Sequence, residues 1–153
     1  NFRWIGFICA ALPEARIVHV SREPMALAWS MYRQSFDGAG NGFVYDLEDI
    51  ARFLVLHRDL MAHWRACFPG RIFELEYEEL VTDPCTVTRN LAKATELEWS
   101  PDWLTPEHAT NQVLTASAEQ VRRPIYRDSN EQWKNYAKQL APMMKALSSS
   151  GLI

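Results

Sequence analysis

Two short β-branched runs set the limits on this fold. "ARIVHVS" at 15–21 and "RIFELEY" at 71–77 each read as a strand, and between them apolar residues recur at helical spacing. Helices alternating with strands suggest an α/β layer structure with a parallel sheet. The first run, rich in Val and Ile, reads as a buried strand, and in the second Phe73, Leu75 and Tyr77 fall on one face. Two strands alone make a poor sheet, since most sheets hold about 4–6. The chain therefore either hides further strands or belongs to a larger domain.

The helices carry clear punctuation. Residues 2–11 show Phe2, Ile5, Gly6 and Cys9 on one side, and Pro13 ends that pattern. Pro24 suits the first position of a helix, where its missing N–H costs nothing. Met25, Ala28, Trp29 and Tyr32 follow at i, i+3, i+4 and i+7, a stripe expected to pack on the sheet, with Ser30 off it. Asp46 predicts the cap of a long helix to about Cys67, striped by Ile50, Leu54, His57, Met61 and Trp64. On that stripe His57 reads as a core histidine. "TDP" predicts another helix start, with Asp83 as cap and Pro84 at the first position. Ser129 to Gln132 has the form of a capping box before Trp133, Tyr136 and Leu140, and Pro142 should kink or split that last helix.

With 153 residues, 48% apolar and 23% charged, the chain is long enough for one domain with a real core. A net charge of −3 argues against a general nucleic-acid binder, while leaving room for a small anion held by a few arginines. No apolar run is long enough to span a membrane, which needs about 18 residues. No secretory signal is recognisable, and a cytoplasmic setting is expected. The first residue is Asn1, so the natural N-terminus is expected further upstream. Cys9, Cys67 and Cys85 are odd in number and far apart, which suggests buried thiols rather than a disulfide framework or a zinc site. "DGAGNGF" at 37–43 is not followed by a Walker-type lysine and reads as a surface loop.

Three places carry chemistry. Arg22 stands at the carboxyl end of the first strand, where open α/β sheets bind ligands, and its guanidinium can fork onto phosphate oxygens. Ser30 lies about 9 Å further along the next helix from Pro24, at ~1.5 Å per residue. An extended arginine covers that distance, so one phosphate could touch both. Arg22 pairing with Glu23 beside a neutral surface serine is the plain alternative. Arg122, Arg123 and Arg127 crowd an aperiodic stretch, the kind of loop that supplies groups to ligands or is simply a basic solvated loop.

Three separated stretches, in order, carry a resemblance: "NF…IGF…ALPEARIVHVSREPMALAWSMYRQSF", "YEELVTDP" and "TASAEQVRRPIY…W". Together they resemble the sulfotransferases that use 3′-phosphoadenosine 5′-phosphosulfate (PAPS). They look most like the bacterial enzymes found behind tetratricopeptide repeats and the tyrosylprotein sulfotransferases. The resemblance implies an α/β fold related to the P-loop kinases, a parallel sheet flanked by helices. It implies that Arg22 and Ser30 bind the 3′-phosphate and that Tyr77 contacts the nucleotide. A loop of Ser117, Gln120, Val121, Arg122, Arg123 and Pro124 would close over the nucleotide, with Ser117 the candidate catalytic residue. PAPS is the implied sulfuryl donor, no metal is implied, and the acceptor is a hydroxyl or amine on a small molecule or a protein. A tetratricopeptide region would precede the domain.

The chain departs from that pattern at its start. The family's 5′-phosphosulfate loop and its carboxylate or histidine base lie upstream of what is present. Of the lysine-bearing K-x-P-x-N-F stretch only Asn1 and Phe2 remain. Tyrosylprotein enzymes carry an arginine four residues after the serine, where Gln34 stands here and Arg33 is one residue early. Residues 1–153 are thus expected to be the C-terminal portion of a single, N-terminally truncated and helix-rich sulfotransferase domain. They would hold mainly the 3′-phosphate and adenosine half. The competing readings are a P-loop kinase relative, which needs a Walker motif absent here, and a non-catalytic nucleotide-binding or interaction module.

Overall fold

Residues 1–36, 40–105 and 130–153 are described by a computed structural model. A 3-10 turn leads into α1 (Ile5–Ala11), and then β1 (Ile17–Ser21), α2 (Pro24–Arg33) and α3 (Leu47–Cys67) follow. Next come β2 (Ile72–Glu76), α4 (Tyr77–Thr82), α5 (Pro84–Thr95) and a final helix, α6 (Ala141–Ser149). β1 and β2 pair in parallel, Ile17 opposite Ile72 through Ser21 opposite Glu76. Parallel pairing demands a crossover connection, which α2 and α3 supply. The α/β reading holds, with the described sheet limited to two strands flanked by helices.

Two apolar clusters hold the elements together. In the larger, Met25 and Ala28 of α2 meet Ile50, Ala51 and Leu54 of α3, along with Leu140, Met143 and Leu147. Each large side chain buried there contributes roughly 1.5–3 kcal/mol. The smaller joins Ile5 and Cys9 of α1 to Met61 of α3, with Ile17 and Ile72 of the strands against them. α3 therefore presents one end to the sheet and the other to α2 and α6.

The expected caps form. Asp46 Oδ1 accepts from the amides of Glu48 (2.8 Å) and Asp49 (2.9 Å), and Asp83 Oδ1 accepts from that of Thr86 (3.1 Å). Pro142 splits the last helical stretch: a 3-10 turn covers Gln132–Tyr136, and α6 begins at Ala141 with the proline in its first turn. Gly151 closes α6 at φ +67°, a left-handed conformation that glycine adopts without strain.

Several expectations need correction. β1 is not buried on both faces: Val18 is 36% exposed and Val20 56%, because on the face they share with Phe73 and Leu75 α5 packs against β2 and leaves β1 open. The α2 stripe packs on α3 and α6 rather than on the sheet, Ala26 is buried with it, and Tyr32 at its end is 41% exposed. Tyr77 is not the last strand residue but the first of α4. Of the cysteines only Cys9 is buried, Cys67 is exposed and Cys85 is intermediate. Gln132 accepts from the Arg33 guanidinium at 2.5 Å, while Ser129, its expected partner in a capping box, lies outside the described residues.

Candidate functional site at the end of β1

The turn after β1 is tied down by carboxylates. Glu23 caps α2 with its own side chain: Oε1 accepts from Met25 N (2.9 Å) and Oε2 from Ala26 N (2.6 Å). Its backbone N–H donates to Glu78 Oε1 at 3.1 Å. The N-terminus of α2 therefore already holds an anionic group, supplied by the chain itself, where the helix dipole favours one. An anion reaching this turn would have to be met by side chains.

Arg22 is the cation placed to do it. It is half-buried, its Nε donates to Asn130 Oδ1 at 2.9 Å, and its guanidinium carbon sits 4.7 Å from the centre of the Tyr77 ring. Glu78 Oε1 in turn accepts from Asn130 Nδ2 at 3.0 Å. The side chains of Glu78, Asn130 and Arg22 thus form a relay that orients the guanidinium over the aromatic ring. Bringing Arg22 to Tyr77 requires the parallel register of β1 and β2, which puts Ser21 opposite Glu76 and the next residues side by side.

Two of the predicted residues, Arg22 and Tyr77, are brought together in this way. Ser30 is on α2 and exposed, as its position off the apolar stripe required. Ser117, Gln120, Val121, Arg122, Arg123 and Pro124 lie outside the described residues, as does Arg127. Arg33 packs near the Trp29 ring, 5.5 Å from its centre, and bonds Gln132, whereas Gln34 Nε2 donates to the neighbouring Ser35 carbonyl. Sequence reasoning missed Glu23, Glu78 and Asn130. The first had a signal, an acidic residue directly before a helix-opening proline. Glu78 stood in the quoted "YEEL" stretch, but Asn130, 108 residues from Arg22, had none.

A second polar cluster lies beneath β1. His19 Nδ1 and Glu74 Oε2 are 2.6 Å apart, and Arg65 Nε donates to Glu74 Oε1 at 2.7 Å. Burial would raise the Glu74 pKa, but hydrogen bonds from Arg65 and His19 outweigh it and hold the carboxyl below its usual range. His57 packs edge-on against Phe2, ring centres 4.8 Å apart, with His19 at 5.2 Å. Burial, then the nearby His19 and Arg65, lowers the His57 pKa. The stripe implied a core histidine, but His57 is only half-buried and stands outside both apolar clusters, at the wall of a pocket. Among the described residues no group of acidic, histidine or cysteine side chains has the makings of a metal site, and no helix is long and apolar enough to cross a membrane.

Residues 1–101 match the sulfotransferase family, and the chain belongs to that family. It is also 39% identical over 149 residues to an uncharacterized protein of Aquifex aeolicus (strain VF5). That match takes in 96% of this chain and 20% of the relative, so the chain spans about a fifth of that protein's length.

Proposed function

We propose that the chain serves a PAPS-dependent sulfotransferase and carries the part that holds the 3′-phosphate and adenosine of the donor. The observation that carries this is Arg22, at the carboxyl end of a parallel strand, held over Tyr77 and oriented by Asn130. A guanidinium so placed offers forked donors to a phosphate, each charge-assisted hydrogen bond contributing about 1.5–3 kcal/mol. Ser30 would add a hydroxyl from α2, and the 117–124 segment would supply further donors, with Ser117 stabilising the transferring group.

The reaction would be in-line transfer of the sulfuryl group to an acceptor hydroxyl or amine. As in phosphoryl transfer, the protein would chiefly position the reactants and stabilise charge. Residues 1–153 alone are expected to bind product nucleotide without turning over donor, because the base and lysine of the resemblance are not among them. The test is calorimetric titration with adenosine 3′,5′-bisphosphate. Wild type should bind and Arg22→Ala should lose at least about tenfold, the loss of one such hydrogen bond. Equal binding by the two would sink the assignment.

A further inference from the structure

A cavity of about 160 Å³ lies under the carboxyl end of β1, enclosed by β1, α2, α3 and the C-terminal Leu152. One water needs about 10–15 Å³ by the same kind of measure, so a small molecule fits. Its polar wall is cationic or ionisable: His19, His57, Arg22, Arg58 and Arg65 line it, and among the described residues no carboxylate does. Its other wall is apolar, with Leu27, Leu54, Met61 and Leu152.

The polar wall has donors to spare. Arg58 gives Nε to Asp59 (2.9 Å) and one Nη1 hydrogen to the Ser150 carbonyl (2.6 Å), and Arg65 is bonded to Glu74. A guanidinium has five N–H groups, so each keeps some for another acceptor. His19 points Nδ1 at Glu74, which fixes the hydrogen on that nitrogen, and its Nε2 is buried with no partner.

We infer that this cavity is a binding site for a small organic anion with a short apolar tail, such as a short-chain carboxylate, taken up together with a proton. The head group meets Arg58, Arg65 and the His57 imidazole, while the tail lies along Leu54 and Met61. The charged groups facing His57 are Glu74 from β2 and Arg65 and Arg58 from α3, with His19 beside it and Arg22 across the pocket. Burial and the neighbouring His19 and Arg65 lower the His57 pKa, so a proton on that ring is costly without an anion beside it. The inference is independent of nucleotide binding: it is read at the histidines, not at the donor.

The probe is butyrate, titrated into the wild-type chain and followed by the NMR signals of the histidine rings. His19 and His57 should shift and His63, exposed beside Cys67, should not. Affinity should fall as pH rises above about 6.5, by at most about tenfold per unit, the signature of one coupled proton at His57. Arg58→Gln should weaken binding by at least about tenfold. n-Butanol, which lacks the charge, and chloride, which lacks the tail, should each fail to reproduce the shifts. An affinity that ignores pH, a His63 shift as large as that of His57, or butanol acting like butyrate would each overturn the inference.

Discussion

Replacing Glu78 by alanine tests the whole arrangement at the end of β1. One carboxylate oxygen accepts both the Glu23 amide at 3.1 Å and Asn130 Nδ2 at 3.0 Å. Hydrogen bonds to a charged group contribute about 1.5–3 kcal/mol each when shielded. Glu78 is only half-buried, so water replaces part of what is lost. The two bonds together should therefore amount to about 1–3 kcal/mol, screened as surface charges are. Glu78→Ala should lower the urea midpoint by the corresponding amount with the slope unchanged. The Glu23 amide should exchange faster with solvent. Asn130 would lose its anchor and Arg22 its orientation, so affinity for adenosine 3′,5′-bisphosphate should fall although residue 78 has no expected contact with the ligand. Glu78→Gln keeps an acceptor oxygen at the same place and should recover most of both losses. If Glu78→Ala unfolds at the wild-type midpoint and leaves the Glu23 amide as protected as before, the relay does not exist as described.

Gly6 permits the close approach of Trp64: an added Cβ would stand 2.9 Å from Cη2 of that ring, which its Nε1 bond to the Phe2 carbonyl (2.8 Å) holds in place. Gly6→Ala should gain up to about 1 kcal/mol in helix propensity and lose about 1–3 to overpacking, so urea unfolding should show net destabilisation, and a more stable variant would refute the contact. Below its unfolded value near 6.5 the lowered pKa of His57 makes protonation favour the unfolded chain, so stability should begin to fall as pH drops through 6.5. Glu74, held below 4.5, contributes stability present above that value and lost as pH falls through its lower folded pKa. Thermal unfolding against pH should thus show two acid-side declines, and His57→Leu should flatten the first. An unchanged profile in that variant would show that His57 does not carry it.

The local elements were legible because their causes are local. Asp46 and Asp83 announce helix starts through an oxygen two or three residues from the amides they accept, and Pro142 breaks a helix wherever it stands. Arg22 could be singled out from its place after a strand, while its stacking over the Tyr77 ring is seen only in the structure. What α2 packs against could not be read, because a helical stripe shows that a face is buried without showing by what. Asn130, Glu78 and the His19–Glu74–Arg65 cluster belong to the same class. Their partners are 52 to 108 residues apart or lie on separate strands and helices, and no periodicity records such distances. The sequence by itself determined the strand–helix order, the caps and the cation at the strand end, since each follows from neighbours within a turn or two. Only the tertiary structure decided that Glu78 braces the Glu23 amide, that a distant asparagine aims Arg22, and that two histidines and three arginines wall one cavity, because those depend on how parallel pairing and helix packing bring remote segments together.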